Sequence, residues 1–373
     1  MWPFDGATRN QLAQSHTMCA RVDVLHGGRP VFTLTPTAGS VTAQAGRTVM
    51  RNLSATVADA TGALSGGDIT DLLSPYECEL AAYRGVILAG TAVWAPLGVF
   101  RPTGRQADGV GQVQVTAQDR AILYQGPMTG SLAISGGTAV EDAIRLLLTT
   151  RNPGVHMHTW ITGFTCGPLL YPPDIDVWAE CQKLAQSVGG WLYHDRTGDL
   201  VFGSLLPTSL LPTARWAEGG GLLLSATRQE DSDTIHNIVV VQNADKTITA
   251  IAEDDDPTSP TYSRGDYGRR PAPVITNASI SSVEQAQQAA NTALIRELGR
   301  TETATATIVP DPTLDPLDAG TVHRPIVGLV ERTMIVDSLE CPLTASDVMT
   351  VNFRKYILTR DGATLTTDMA AVS

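Results

Sequence analysis

Residues Gln112-Val113-Gln114-Val115-Thr116 alternate polar and apolar side chains with a period of two. The stretch 301–309 alternates again, with Thr303, Thr305 and Thr307 on one side and Ala304, Ala306 and Ile308 on the other. A period of two puts one set of side chains against a core and the other against solvent, the pattern of a half-buried strand. Runs rich in Val, Thr and Leu recur at 20–25, 31–34, 50–57, 78–83, 86–88 and 98–101. Turn signals separate many of them, among them His26-Gly27-Gly28, Thr61-Gly62 and Asp108-Gly109. Many short strands with frequent turns predict a barrel-like or sandwich unit over 17–128, preceded by a polar N-terminal arm at 1–16.

The pattern then changes. Thr138-Ala139-Val140-Glu141 has the form of a capping box, and Val140, Ala143, Ile144, Leu147 and Leu148 share one helical face behind it. A second helix is expected after Pro172-Pro173, capped by Asp174, with Val177, Trp178, Cys181, Leu184, Ala185 and Val188 inward and Gly189-Gly190 as its stop. A hairpin follows, residues 191–194 and 199–202 around Asp195-Arg196-Thr197-Gly198. These elements predict a small α/β domain at 129–221, whose Pro/Gly-rich end at 207–221 reads as a linker. The remainder, 222–373, is read as a second β-rich domain. It has strands at 235–242, 247–252, 301–309, 321–323, 333–339 and 348–353. Its helical insertion at 281–299 opens on Ser281-x-x-Glu284. The fold class expected is α+β, predominantly β, with two β-barrel-like domains flanking the small α/β domain.

Composition removes several function classes. The chain has 38 Asp+Glu against 26 Lys+Arg, a formal net charge of −12, which disfavours a basic nucleic-acid-binding domain. Five widely spaced cysteines give no disulfide framework and fit a reducing compartment. Met1-Trp2-Pro3-Phe4-Asp5 lacks the start of a signal peptide, and no apolar run approaches the roughly 18–20 residues of a membrane span. None of the three lysines, Lys183, Lys246 and Lys355, follows a glycine, so the phosphate-cradling Gly-Lys-Ser/Thr loop is absent.

Four groupings invite chemistry. His156 and His158 lie two apart, with Cys166 and Cys181 downstream, as zinc ligands sometimes do. The cysteines lack Cys-x-x-Cys spacing and Cys181 sits on an apolar helix face, so a surface histidine pair and a core cysteine is the stronger reading. Cys166 with His156 or His158 would serve a thiol peptidase, but no cysteine opens a helix after a Gly-rich turn, where a thiolate is stabilised. Glu253-Asp254-Asp255-Asp256 is the densest charge run; it lacks the spaced aspartates of a calcium loop and reads as a solvated loop. Arg264, Asp266, Arg269 and Arg270 follow, giving the long polar loop an acidic and a basic end that suit subunit contacts. These eight residues are the candidate partner-facing loop. No catalytic, metal or cofactor set is expected.

Several segments in order carry a resemblance. They are Ser40-Val41-Thr42 with 49–59, then 72–80 with Tyr83-Arg84-Gly85, 93–100, and Gln118-Asp119-Arg120. Together they resemble the opening domain of tail proteins from phages of actinobacteria. Residues 138–148, 178–202, 234–241 and 281–322 are similar to the body of tail-hub proteins. The resemblance covers roughly residues 17–355 and implies a baseplate or tail-tip hub of a tailed phage, a minor tail protein made in the host cytoplasm and built into the virion tail tip. It implies a homotrimer whose six barrel-like units match the six-fold tail ring and pass to a three-fold spike or fibre. DNA would leave through its channel without specific binding. Two other readings stay open: a tail-tip cell-wall hydrolase or peptidase, and the hub of a phage-derived contractile injection device.

Overall fold

The computed structural model describes residues 1–4, 6–14, 16–59, 64, 72–108, 111–204, 206, 212 and 214–357. The turn signals Thr61-Gly62 and Gly109, and residues 207–211 and 213 of the expected linker at 207–221, lie outside these residues. A short helix α1 (Gly6–Leu12) precedes seven strands: β1 (Thr17–His26), β2 (Arg29–Leu34), β3 (Pro36–Gln44), β4 (Arg51–Ala58), β5 (Cys78–Leu88), β6 (Thr91–Ala107) and β7 (Gln112–Asp119). A middle module follows, with β8 (Leu132–Ile134), α2 (Val140–Thr149), β9 (Met157–Thr159), β10 (Leu169–Tyr171), α3 (Val177–Gln186), β11 (Gly190–His194) and β12 (Leu200–Ser204). The last part holds β13 (Ala214–Ala217), β14 (Leu223–Glu230), β15 (Ile238–Gln242), β16 (Thr249–Glu253), β17 (Ile275–Thr276) and α4 (Val283–Gly299). It ends in β18 (Glu302–Ile308), β19 (Ala319–Arg324), β20 (Leu329–Pro342) and β21 (Met349–Lys355).

The chain is predominantly β, as the alternation predicts. Inward Ala304, Ala306 and Ile308 are buried on β18, and Val113, Val115 and Ala117 on β7. The two β-rich segments do not stay apart. Thirteen strands share one sheet in the order β14-β18-β21-β20-β3-β4-β7-β6-β5-β1-β2, with β19 on β20 and β13 parallel to β19. No barrel closes among the described strands. The join is β20: Ala319–Arg324 pairs with its first half, and β3 pairs with Ser338–Pro342 in its second half. One apolar cluster accordingly runs from Val22 and Phe100 to Trp216 and Phe353. The expected linker contributes a strand of its own, β13.

Helix starts differ from the sequence expectation by one or two residues. The cap of α2 is Ala139, not Thr138, whose hydroxyl instead donates to the Ser135 carbonyl. The entry is held by backbone pairing, since Val140 N–H donates to Phe164 O and Ala139 bridges Thr165. For α3 the cap is Asp176, not Asp174; its carboxylate accepts from Ala179 N and from Gly126 N, both at 2.8 Å. At α4 the capping box slides by one: Ser282 accepts from Gln285 N, and Gln285 Oε1 accepts from Ser281 N. Gln285 is buried and Glu284 faces out, so the reciprocal bond goes to the residue the fold turns inward.

Trp178 and Trp191 are core residues, as expected, and they also capture the β3–β4 turn: their indole N–H groups donate to Thr48 O and Arg47 O. Gly320 leaves room for the ring of Trp216, which a Cβ there would meet at 2.2 Å. Gly320→Val should therefore lower stability by about 1–3 kcal/mol or more, read as a fall in the urea midpoint with unchanged slope. An unchanged midpoint would mean that the ring relaxes freely.

Candidate functional site

The loop at 253–273 is not a loose arm. Asp254 is buried, and its carboxylate accepts from Ser259 Oγ at 2.6 Å and Thr261 Oγ1 at 2.7 Å. Asn237, also buried, holds the far side: its amide donates to Thr261 O and Gly268 O while its carbonyl oxygen accepts from Arg270 N. Glu253 accepts from Ser263 Oγ and pairs with Arg269 at 3.1 Å. Arg270 lies over the Tyr267 ring, and both donate to Ser232 O. The outward side chains are thus Asp255, Arg264, Asp266, Arg269 and Arg270, with Asp256 half-buried, while Asp254 is internal scaffold.

The histidine and cysteine groupings do not assemble. His156 and His158 are exposed, His158 on β9 and His156 just before it, and His158 Nε2 lies 4.0 Å from Asp199 Oδ2. Cys166 and Cys181 are buried in the middle-module core, where desolvation raises both thiols and works against a thiolate nucleophile. Among the described residues, no group of three or more His, Cys, Asp or Glu side chains is placed to hold a metal ion.

The densest buried chemistry lies elsewhere, at the junction of the three parts of the chain. Arg51 Nη2 reaches both oxygens of Asp315 at 2.6 and 2.8 Å, and Arg196 Nε lies 3.2 Å from the same carboxylate. Burial alone would raise the Asp315 carboxyl; the two guanidinium groups overcome it and hold it below the usual carboxylate range. Arg196 also donates to Pro312 O at 2.5 Å. Arg120 pairs in a fork with Glu79 at 2.9 and 2.7 Å and donates to Gly198 O. Beside it, His194 stacks with Tyr124 and Trp178, and its Nδ1 is 4.0 Å from Asp119. The sequence reading passed over this cluster, although one signal was present. Arg51 is in phase with inward Leu53, Ala55 and Val57, so a charge was already aimed at the core.

Solved structures match along most of the chain, three of them as follows. A tail protein from Neisseria meningitidis MC58 is 16% identical, with a TM-score of 0.61, covering 90% of this chain and 97% of that one. The 43 kDa tail protein of prophage MuSo2 from Shewanella oneidensis is 14% identical, with a TM-score of 0.57, covering 90% and 98%. An E. coli component of the type VI secretion system, described as structurally similar to the T4 bacteriophage tail proteins gp27 and gp5, is 9% identical, with a TM-score of 0.50, covering 90% and 77%. No family model and no curated protein matches the chain. The fold is that of phage tail proteins, and the secretion-system component shares it.

Two outcomes follow from this geometry. Asp254→Ala should lower stability by about 1–3 kcal/mol and open 254–263 to limited proteolysis, whereas Asp255→Ala should stay within about 0.5 kcal/mol of the parent. The second concerns pH. Burial first, and the Arg120 charge second, lower the His194 pKa to about 3. The unfolded chain takes up that proton below about pH 6.5 and the folded chain does not, so stability falls as pH drops below that point. Moving from pH 7.5 to 5.5 should cost about 1.4 kcal/mol through this residue. His194→Phe should remove that part of the loss in paired urea titrations; an identical pH slope would dismiss the assignment.

Proposed function

We propose that this chain is the structural hub of a phage tail tip or baseplate. Three copies form a ring that meets the six-fold tail on one side and a three-fold spike or fibre on the other, around the channel through which DNA leaves. The observation that carries this reading is the fold match along most of both chains: 90% of this one, and 97% and 98% of the two tail proteins. In this reading the segments 17–128 and 222–373, which share one open sheet, supply the β-rich units, six per trimer. The module at 129–221 braces them, and the N-terminal segment packs on the body through Met1, Phe4 and Leu12. The partners are two further copies, the distal tail ring and the tip spike or fibre, and the site of action is the virion tail tip.

Surface features favour contact over catalysis. Ile326 and Val330 stand out into solvent around the β19–β20 turn, and Leu224 on β14 is exposed as well. The charged face of the 253–273 loop offers Asp255 and Asp266 beside Arg264 and Arg269. The hydrolase reading loses support from the buried, raised Cys166 thiol and the outward His156 and His158. The hub of a contractile injection device keeps support as a second reading, because a secretion-system component shares the fold.

Gold-labelled antibody against this chain should decorate the tail tip of particles from the source in electron micrographs, and light scattering should give about three times the mass of one chain. Label running along the tail would make it a tube protein instead. Asp255→Lys with Asp266→Lys should leave the monomer folded and reduce the yield of tailed particles at least tenfold; normal yield would remove the loop from the contact surface.

A further inference from the structure

Residues 231–301 leave and re-enter the large sheet at one place, because β14 and β18 are antiparallel neighbours with Glu230 opposite Glu302. Between those points the chain builds a unit with its own interior. β15, β16 and β17 form a separate three-stranded sheet, and α4 covers it, with Val239, Val241 and Ala250 packed against Ala286, Ala290 and Leu294. Its two ends are held differently. Near the strand connections the apolar cluster extends to Ile357, just beyond β21, and Arg296 in the last turns of α4 is packed against Gly46, with Asp337 of β20 as its favourable charge, so this end stays fixed. At the far end the unit rests on the C-terminal end of α3 and the neighbouring loop through hydrogen bonds. Gln285 Nε2 donates to Ser187 Oγ at 2.9 Å, Gln288 Nε2 to Val188 O at 3.1 Å, Asn277 Nδ2 to Lys183 O at 2.7 Å and Ser281 Oγ to Thr165 O at 2.6 Å. The apolar cluster of the unit and that of the middle module have no member in common.

A seam of this kind opens at low cost, since each hydrogen bond is exchanged for one to water while no shared apolar core is exposed. Two short connections side by side form a hinge, which absorbs a rotation in a few backbone angles. We infer that residues 231–301 are a hinged flap, which pivots as a unit on 231–233 and 300–301 and lifts the N-terminal end of α4 away from α3. The flap carries the 253–273 loop, so its swing repositions those outward charges relative to the sheet. This inference concerns the isolated chain and stands independently of the hub reading.

Thr292 tests it. This residue is buried on the seam face of α4, where a side chain added at Gly189 would meet its hydroxyl at 2.4 Å. In the full chain carrying Thr292→Cys, maleimide labelling mapped by mass spectrometry should modify position 292 at least tenfold faster than native Cys181, which is fully buried in α3. Adding Gln285→Ala and Gln288→Ala should raise the rate at 292 threefold or more and leave Cys181 unchanged. Equal rates at 292 and Cys181 would mean that the seam opens only with global unfolding, and the flap would be refuted. In a separate chain, Ala290→Cys, inside the flap, should stay as slow as Cys181; labelling as fast as position 292 would mean melting rather than pivoting and would also overturn the inference. Where Thr292→Cys fails to fold, hydrogen exchange on the unmodified chain decides. The Gly167 amide, which donates across the seam to Ser279 O, should exchange at least tenfold faster than the Cys166 amide, which donates to Thr138 O within the module. Matching rates would refute the flap.

Discussion

Strand β20 holds the molecule together. Its fourteen residues are divided between two neighbours on one flank, β19 for the first half and β3 for the second, and the ladder to β21 shifts register between Val336 and Ser338 where the change occurs. A bulge there adds twist and lets one strand serve two differently directed parts of a sheet. Residues some three hundred positions apart are thereby paired, Ser40 with Pro342 and Gln44 with Ser338. Without that pairing the β-rich segments would each keep an open edge, with unpaired backbone groups and exposed apolar faces.

The buried charges complete what β20 begins. Arg51 comes from β4, Arg196 from the β11–β12 turn and Asp315 from the turn before β19, so one carboxylate fixes three remote pieces of chain at once. A small apolar cluster of Ala45, Met50, Trp191, Leu317 and Ile335 draws on the same three parts. Burying two guanidinium groups around a part-buried carboxylate is expensive, and apolar side chains of similar volume would hold the junction at least as firmly. What the ion cluster adds is position: the forked geometry of a guanidinium on a carboxylate admits one relative placement, whereas an apolar contact tolerates sliding. The contrast with the α4 seam, which is built from neutral amides and hydroxyls, is physical. One interface is locked by charges that cannot be left unpaired, and the other is closed by groups that water satisfies equally well.

Legibility in the sequence followed how local each feature is. The strands with strict alternation, the inward faces of α2 and α3 and the 190–204 hairpin depend on neighbours within a few residues, and they stand where the sequence reading puts them. The caps were displaced because several nearby residues can cap, and tertiary contacts choose among them: Gly126 recruits Asp176 rather than Asp174, and the 164–165 segment replaces Thr138. Strand β3 was passed over because Pro36, Gly39 and Ser40 disguise it, and it exists through long-range partners on both sides. The charged loop was recognised as a surface element, but its internal order was illegible. Asn237, which ties it down, lies some thirty residues away from Gly268 and Arg270. Arg51 was the reverse case, a residue whose inward phase was readable and whose partner was not.

Electrostatics gives the last step. Among the described residues seven carboxylates and four arginines are buried, so acidic groups outnumber basic ones in the interior by three and part of the negative charge is not presented at the surface. Net charge therefore says less about an assembly than position does. Asp254 and Asp255 are adjacent in sequence and carry the same group, yet one is spent on Ser259 and Thr261 while the other faces solvent. On a rigid sheet such outward charges would be fixed features of the surface. On the flap inferred above they would move with the unit that carries them.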